Sequence, residues 1–407
     1  MISALIPVIR PEKADRVRKI VWQEAHYDGI DIEILAEEDT ERIGCPLMLK
    51  RLVEKSQGEM VLFLGDDTIP QKGFLRAALD AMRTLPDGWG VVGLNSQYSQ
   101  HAAHFLADKR MLPILGGEFF RTVYKHCWCD HELTDLAREA GRYIFCKESR
   151  VIHDHPIFTG GGADIDYWRV YSEEYRKHDK ATYIKRKRDR LGDKLAIGFP
   201  LVNDMVRINF FTSFCCMDKP SYTFLLPEFP HGPWAETLAD ARNSLIQQAQ
   251  FEGCRRIFML DTDQVYPPDT LTKLMNHGKD ICGVRVHRRY PPFDPIFLRW
   301  DEEVKKYYRI PDEEMFSGNL VEIDATGTGA LLINMEIFDR IEEPWFKVVT
   351  DPGARTGEDI YFCTKARKAG FRIFVDTSIE VDHLATIAIN KPMYQMMQML
   401  EKSKEGG

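Results

Sequence analysis

Short, continuous apolar runs alternate along the chain with stretches that carry apolar residues at helical spacing. Continuous apolar strands between helices are typical of a doubly wound, largely parallel sheet, in which ligands bind at the carboxyl ends of the strands. The predicted fold class is therefore α/β. The runs of strand length are residues 2–8, 60–64, 221–226 and 256–260, and helical patterns follow at 73–84 and 269–277.

The order of these features in the first half of the chain returns in the second half. In each half an apolar run ends in acidic residues, which a proline and a new helix follow. These residues are Asp66 and Asp67 in the first half, and Asp261 and Asp263 in the second. Such self-similarity indicates a diverged internal repeat.

The length of 407 residues is too great for one ordinary core and suits two domains. Between the halves, residues 167–194 are polar, aromatic and basic, which predicts a helical connector. The expected organisation is domain 1 at 1–160, a helical and basic connector at 161–215, domain 2 at 216–390, and a C-terminal helix or tail at 391–407.

Composition and charge exclude several classes of protein. The net charge of −8 excludes a uniformly basic nucleic-acid binder but is compatible with a local basic patch. Nine scattered cysteines are typical of a reducing compartment. No stretch approaches the roughly 18 apolar residues of a membrane span. We expect a cytoplasmic protein, in the host cytoplasm if it is viral, with no integral membrane association and an undetermined oligomeric state.

The acidic pair of the second half has the arrangement of a metal site. Residues i and i+2 of an extended segment point to the same side, so Asp261 and Asp263 can face one ligand. Carboxylate oxygens bind Mn²⁺ or Mg²⁺, and such an ion neutralises a leaving pyrophosphate. A solvated, aspartate-rich turn is the other interpretation of a lone D-x-D motif.

Further motifs surround this pair in a fixed order. They are Asp240-Ala241-Arg242-Asn243 before it, then Gly327-Thr328-Gly329, Gly357-Glu358-Asp359 and a late His383. This order over residues 220–385 resembles the GT-A glycosyltransferases of the family-2-like kind. The chain as a whole resembles sugar transferases of viruses and phages that carry two nucleotide-sugar domains of Rossmann type in tandem.

The resemblance implies roles for the residues of the second half. Asp261 and Asp263 would contact the ribose and the metal, Asp263 being the surer metal ligand, and His383 would be a further ligand of the metal or of the diphosphate. Asp359, together with Glu358, would lie under the acceptor as general base. The donor would be a nucleoside-diphosphate sugar, with a UDP-sugar expected first. Its further contacts would be Arg242, Asn243, Gly327, Thr328 and Gly329.

Each of these roles competes with an ordinary structural one. His383 also fits a surface histidine, and Arg242 a simple salt-bridge residue. Asp359 also fits a residue that only stabilises a helix N-terminus, where aspartate is favoured.

The first half shows the same layout with one departure. Gly65 stands where the first aspartate of a D-x-D would stand. By the resemblance, Asp67 and His153 would hold a metal and Asp130 would be the base. Domain 1 is then either active or a non-catalytic binding or packing module. Its contacts with the nucleotide sugar would be Glu38, Asp39 and Asp66.

Cysteines and histidines in the first half allow a second interpretation, structural zinc. The Cys-x-Cys spacing differs from the usual C-x-x-C, and the strand and helix pattern explains these positions without a metal. The residues are His126, Cys127, Cys129, His131, Cys146, His153 and His155.

The acceptor is indicated only by the basic segment 176–194, which has nine Lys or Arg and three Asp. This segment predicts either a solvated helix or contact with a polyanion. Compatible acceptors are a glycan, a lipid-linked saccharide, and a hydroxymethylated DNA base presented to the pocket.

The predicted function is metal-dependent, inverting transfer of a hexosyl or pentosyl group from a nucleoside-diphosphate sugar to an acceptor hydroxyl. The alternatives are a retaining transferase and a nucleotide-sugar-binding module without transfer, with domain 1 non-catalytic.

Overall fold

Two sheets, one in each half of the chain, contain the apolar runs of the sequence. The computed structural model describes residues 1–154, 165–202, 205–228, 237–351, 354–386 and 389–405. The chain divides into Met1–Lys187 and Arg188–Gly407, here called unit 1 and unit 2. The predicted border at residues 160 and 161 lies outside the described residues.

Unit 1 alternates strands with helices. Its first helix begins at Pro11, because proline fits the first helical turn, where its missing N–H needs no partner. The elements are β1 (Ile2–Val8), α1 (Pro11–Tyr27), β2 (Ile32–Glu38), α2 (Cys45–Lys55), β3 (Met60–Phe63), β4 (Thr68–Pro70), α3 (Phe74–Thr84), β5 (Val91–Asn95), β6 (Phe105–Asp108), α4 (Met111–Ile114), α5 (Cys129–Glu139), β7 (Tyr143–His153), α6 (Ile165–Val170) and α7 (Glu173–Leu191), which extends past the unit border.

The strands of unit 1 form one sheet in the order β2-β1-β3-β6-β5-β7-β4. β1 is parallel to β2 and β3, and β7 is parallel to β5. β6 runs antiparallel to both of its neighbours, and β4 is antiparallel to β7. Apolar clusters cover both faces of the sheet, which explains why its strands are continuous apolar runs.

Unit 2 contains the remaining elements. The helix that carries Arg242 is capped by Thr237, whose hydroxyl accepts a hydrogen bond of 3.2 Å from the Asp240 backbone N–H. The elements are β8 (Leu195–Gly198), α8 (Ile208–Cys216), β9 (Tyr222–Leu225), α9 (Leu238–Phe251), β10 (Arg256–Leu260), β11 (Gln264–Val265), α10 (Thr270–Asn276), β12 (Ile281–Val286), β13 (Phe297–Asp301), β14 (Lys306–Arg309), α11 (Asp312–Met315), β15 (Leu320–Ile323), β16 (Ala325–Thr326), β17 (Ala330–Asn334), α12 (Ile337–Arg340), β18 (Val349–Asp351), β19 (Ala354–Thr356), α13 (Glu358–Lys368), β20 (Ile373–His383) and α14 (Lys391–Glu405).

The main sheet of unit 2 has the strand order β9-β8-β10-β17-β12-β20-β11, and β15 also pairs with β20. This order corresponds strand for strand to that of unit 1, with the same parallel or antiparallel relation in each pair. Both sheets shift register at the same step, after Leu94 in β5 and after Val284 in β12. The pairs Thr68–His153 and Gln264–His383 are therefore counterparts.

Two details differ from the sequence predictions. Each sheet is mixed rather than largely parallel, because β6 and β17 run against their neighbours. Unit 2 also begins before residue 216, since β8, inside the predicted connector, pairs with β10 as β1 pairs with β3. Only a short apolar run follows the charged stretch that ends at Lys194, so β8 was missed. The run at 221–226, expected to open domain 2, contains the edge strand β9.

The predicted connector helix α7 is packed into unit 1 as far as Lys187. Tyr183 and Ile184 are 3% and 4% exposed and belong to one of the unit's apolar clusters. This part of α7 is therefore an element of the unit rather than a spacer. None of the described helices is both long enough and apolar enough to cross a membrane.

Candidate active sites

The acidic pair of unit 2 lies at the end of β10. β11 follows and pairs with the end of β20, so that Gln264 lies opposite His383. This pairing brings Nε2 of His383 to 3.4 Å from Oδ2 of Asp263. Strand register thus places the two predicted metal ligands side by side.

A backbone hydrogen bond orients the ring of His383. Its Nδ1 lies 2.7 Å from the carbonyl oxygen of His287. Because that oxygen can only accept, Nδ1 donates and Nε2 is left for Asp263. Burial lowers the pKa of His383, but Asp263 and the carbonyl outweigh burial and raise it above its usual value. Histidine ligands commonly donate their other ring N–H to a carbonyl in this way.

Asp261 has a different partner from Asp263. Its Oδ1 accepts a hydrogen bond of 3.0 Å from Nη2 of Arg242, which is 1% exposed. Nε of Arg242 lies 3.7 Å from Oε1 of Glu358. These three predicted site residues therefore form one ion-pair network, in which the opposite charges offset the cost of burying the arginine.

Asp359 lies in the first turn of α13. Its Oδ1 accepts a hydrogen bond of 2.8 Å from the Ile360 backbone N–H. Burial, followed by the charge of Glu358, raises the pKa of Asp359 to about 6. A carboxyl group with such a pKa is suited to accept a proton near neutral pH.

The predicted glycine motif lies beside these carboxylates. A Cβ on Gly329 would lie 2.1 Å from Nε2 of Gln264 and 3.0 Å from Oδ2 of Asp261, so a larger residue would displace both side chains. A Cβ on Gly327 would lie 3.8 Å from Oδ2 of Asp359. Thr328 between them is buried, and its hydroxyl has no hydrogen-bond partner among the described residues.

The predicted contact of Asn243 with the nucleotide-sugar donor is not supported. Its Oδ1 accepts hydrogen bonds from the backbone N–H groups of Trp345 and Phe346 at 3.1 and 3.0 Å. Its Nδ2 donates to the Phe346 carbonyl oxygen at 2.8 Å. Because both ends of the amide bind backbone, Asn243 fixes the loop after α12 instead of facing a ligand.

Asp263 and His383 offer one carboxylate and one imidazole, a ligand set that suits Mn²⁺. In the part of the chain that the structure describes, no three His, Cys, Asp or Glu side chains are grouped so that they could hold a metal ion by themselves. Asp263 already binds a cation, since Nη1 of Arg289 lies 2.7 Å from its Oδ2. A metal ion at this site would therefore need further ligands besides these two side chains.

Unit 1 retains the counterpart of the Asp263–His383 contact. Oδ1 of Asp67 lies 3.2 Å from Nε2 of His153. At Gly65, where the first carboxylate is missing, a Cβ would lie 2.9 Å from the same oxygen of Asp67. The unit thus keeps the second acidic position of the motif, and a side chain at the first would require Asp67 to shift.

Asp66 does not join Asp67 in a ligand pair. Its Oδ2 accepts hydrogen bonds from the backbone N–H groups of Ile9 and Arg10 at 2.7 and 2.6 Å. Its Oδ1 lies 3.3 Å from Nη1 of Arg10. Asp66, which the sequence predicts to contact the nucleotide sugar, therefore stabilises the turn between β1 and α1.

Asp39 and Glu38, which the sequence predicts to contact the nucleotide sugar, lie at the end of β2. The two carboxylate oxygens of Asp39 each accept a hydrogen bond of 2.8 Å, from the Ile43 and Gly44 backbone N–H groups. Both oxygens of Asp39 therefore hold the loop before α2. Glu38 is exposed.

Asp130, the predicted base of unit 1, differs from Asp359 in its surroundings. Nδ1 of His131 lies 3.0 Å from its Oδ1. Burial would raise the pKa of Asp130, but the hydrogen bond and charge of His131 lower it below the usual range. Asp130 stays ionised and paired, whereas no cationic side chain of the described residues forms an ion pair with the carboxyl group of Asp359.

A cavity of about 360 Å³ lies in unit 1 beside these residues. His104 lines this cavity, and the sequence did not indicate a role for it. His104 is 4% exposed, and neither of its ring nitrogens has a hydrogen-bond partner in the described structure. Burial lowers its pKa to about 3, so the ring is neutral. The strand registers place His104 where unit 2 has Ala330. The cavity is also lined by Asp66, Asp67, Asp130, His153, Phe120, Trp128 and Tyr171.

The zinc interpretation is not supported. His155 lies outside the described residues, and the remaining candidates include no group of three that could hold a metal ion. Burial raises the pKa of Cys127 to about 12 and raises that of Cys129 as well, which favours thiols over the thiolates that bind zinc.

The basic segment 176–194 is largely neutralised within the protein. Arg186 makes a two-point contact with Glu132, which is 2% exposed. The segment therefore does not present a continuous cationic face, and contact with DNA loses its main support from the sequence. Further ion pairs join Lys177 to Glu173, Lys187 to Asp135, Arg188 to Asp339 and Lys194 to Glu252.

No protein-family model and no curated protein matches the sequence. Solved structures that match include glycosyltransferases and a viral protein. A197 from STIV has 16% identity and a TM-score of 0.33 and covers 48% of this chain and 99% of that one. The mannosyltransferase PcManGT from Pyrobaculum calidifontis, in complex with GDP-Man and Mn²⁺, has 16% identity and a TM-score of 0.35 and covers 45% and 64%. The catalytic domain of Drosophila β1,4-galactosyltransferase 7, in complex with xylobiose, has 12% identity and a TM-score of 0.31 and covers 40% and 76%. At these values the matches assign no function to this chain.

Proposed function

We propose that the protein is a glycosyltransferase whose two units are both of GT-A type, with catalysis in unit 2. The observation that carries this proposal is the contact of Asp263 with His383 at a strand end, in the same unit as a partly buried aspartate, Asp359, with a pKa of about 6. The contact of Asp263 with His383 is suited to binding a metal ion together with a diphosphate, and Asp359 is suited to removing the proton of an acceptor hydroxyl.

Asp359 would act as the general base. It takes the proton of the acceptor hydroxyl as that oxygen attacks the anomeric carbon of the donor sugar. The bond between this carbon and the diphosphate breaks, and its electron pair leaves with the nucleoside diphosphate. Attack from the side opposite to the leaving group inverts the anomeric configuration. Asp261 and Arg242 act electrostatically on Asp359, so donor and acceptor chemistry meet in one region.

Asp263 and His383 would hold Mn²⁺ or Mg²⁺, which supplies charge neutralisation to the departing diphosphate. Asp261, fixed by Arg242 at one oxygen, keeps its other oxygen for a ribose hydroxyl. Gly329 has no side chain of its own that would cover Gln264 and Asp261, so the backbone there would allow close approach of the donor.

Unit 1 would bind a ligand but would not transfer a sugar. It has the Asp67–His153 contact and a cavity, but its Asp66 is engaged by backbone and its Asp130 by a histidine. For the acceptor we favour a saccharide hydroxyl, free or lipid-linked, over DNA, because the basic segment is paired internally.

The test is a thermal-shift and transfer panel with UDP, GDP and their sugars in the presence of Mn²⁺ or Mg²⁺. GDP is included because the matched mannosyltransferase is in complex with GDP-Man and Mn²⁺. A nucleotide at a hundredfold excess over Kd should stabilise the protein by about 2.7 kcal/mol. Asp263→Asn should remove most of this gain, whereas its counterpart Asp67→Asn should remove less. Loss of transfer with Asp67→Asn, but not with Asp263→Asn, would place the active site in unit 1.

A further inference from the structure

The loop between β12 and β13 brings an arginine onto the predicted metal ligand. Nη1 of Arg289 lies 2.7 Å from Oδ2 of Asp263, the same oxygen that faces His383. The base of the loop is fixed, because His287 bridges to Pro295 and its Nδ1 donates to the Phe293 carbonyl oxygen at 2.6 Å. Arg289 therefore extends from an anchored loop to the place where a metal ion would bind.

The two neighbouring arginines of this loop have different roles. Arg288 pairs with Asp294 inside the loop, at 3.4 Å. The side chain of Arg289 is 51% exposed, so its ion pair with Asp263 is accessible to water and weak enough to exchange. The neighbouring carboxylate Asp261 already has Arg242 as its cation. Arg289 and His383 are thus the positively charged groups that pair with the carboxylate of Asp263.

A divalent ion that arrives alone must displace Arg289 from the oxygen it needs and must then lie beside a guanidinium group. An ion that arrives with a nucleoside diphosphate meets a different situation. The diphosphate offers oxygens in pairs, which the planar guanidinium binds as well as it binds a carboxylate. Arg289 then loses one anionic partner and gains another.

We propose that Arg289 acts as a surrogate cation, holding Asp263 in the free protein and moving to the diphosphate when the metal enters. The metal and the nucleoside diphosphate therefore bind together, and the metal alone binds poorly. This inference rests on the donor site of the proposed function and adds the order of binding and a positioning residue to it.

The experiment measures Mn²⁺ affinity directly, from the electron paramagnetic resonance signal of free Mn²⁺, with and without UDP or GDP. The variants are Arg289→Ala and Arg289→Lys in the full chain, with Arg288→Ala as the matched control. Arg289→Ala should bind Mn²⁺ alone roughly fivefold more tightly than wild type, the equivalent of losing one exposed ion pair. With the nucleotide present, the same variant should bind Mn²⁺ more weakly than wild type.

Arg289→Lys should keep the weak affinity for Mn²⁺ alone, because it keeps the charge, but should lose part of the nucleotide-dependent affinity, because it loses the planar fork. Arg288→Ala should behave as wild type in both titrations. Equal affinity of wild type and Arg289→Ala for Mn²⁺ alone overturns the inference, even if Mn²⁺ and a nucleotide bind to both. If wild type binds no Mn²⁺ with either nucleotide, the donor site of the proposed function is wrong, and so is the proposed movement of Arg289 to a diphosphate.

Discussion

Asparagine at position 359 would keep the size of the aspartate and the oxygen that accepts from the Ile360 N–H, but it carries no charge. The structure predicts that Asp359→Asn abolishes transfer and at the same time stabilises the protein at pH 8. The reason is that burial and Glu358 disfavour the ionised carboxyl group in the folded protein. The proposed proton removal needs the ionised form, which at the same time opposes folding.

The magnitude follows from the pKa. An aspartate in an unfolded chain has a pKa of about 3.9, and each pKa unit corresponds to about 1.36 kcal/mol. Because the pKa of Asp359 is about 6 in the folded protein, ionisation costs about 3 kcal/mol of stability. The folded state holds its proton more tightly than the unfolded state. The associated stability is complete below pH 4 and is lost as the pH rises to 6 and beyond.

The assay is calorimetry of the full chain at pH 4 and pH 8. For a unit of this size, about 3 kcal/mol corresponds to a Tm increase of about 6–12 °C for Asp359→Asn at pH 8. At pH 4 the variant and wild type should differ little. The matched control is Asp130→Asn, which should lower Tm at pH 8, because the His131 contact stabilises the ionised form of Asp130. An equal Tm change for Asp359→Asn at both pH values, or a decrease at pH 8, would refute the inference that the ionised form of Asp359 destabilises the folded protein.

Two further predictions concern the rate and the basic helix. The value of kcat/KM for donor turnover should rise tenfold per pH unit up to about pH 6 and then level, because Asp359 must be deprotonated to act; a profile that is flat from pH 5 to 8 would exclude this aspartate as the base. Arg186→Met should destabilise the protein by about 3 kcal/mol, because it leaves the carboxylate of Glu132 buried without its partner. Lys185→Ser on the exposed side of the same helix is the control, and equal denaturation midpoints for both variants would show that the pair contributes nothing.

The sequence predicted those parts of the fold that depend on local pattern. The run at 256–260 is the strand β10, and the acidic pair follows it as expected. The helix predicted at 73–84 is α3, and the one expected near residue 391 is α14. These elements are continuous in sequence, so that apolar periodicity reveals them.

The missed features depend on contacts between distant residues. β8 is only four residues long and is stabilised by pairing with β9 and β10, which no local pattern shows. Residue type alone also could not separate the acidic side chains that face a ligand from those that bind backbone. Asp39 and Asp66 bind backbone N–H groups, whereas Asp263 faces a histidine and an arginine. His104 lay in a segment with no family motif, and only the strand register shows that it occupies the place of Ala330.

The glycine at position 65 couples the first acidic position of the motif in unit 1 to the second. The Cβ of an aspartate at this position would lie 2.9 Å from Oδ1 of Asp67, whereas its distance of 3.4 Å from Cε1 of His104 is an ordinary van der Waals contact. The carboxylate of Asp67 would therefore have to shift, and its contact with Nε2 of His153 would change with it. In unit 1 a carboxylate gained at the first position would thus alter the geometry of the second.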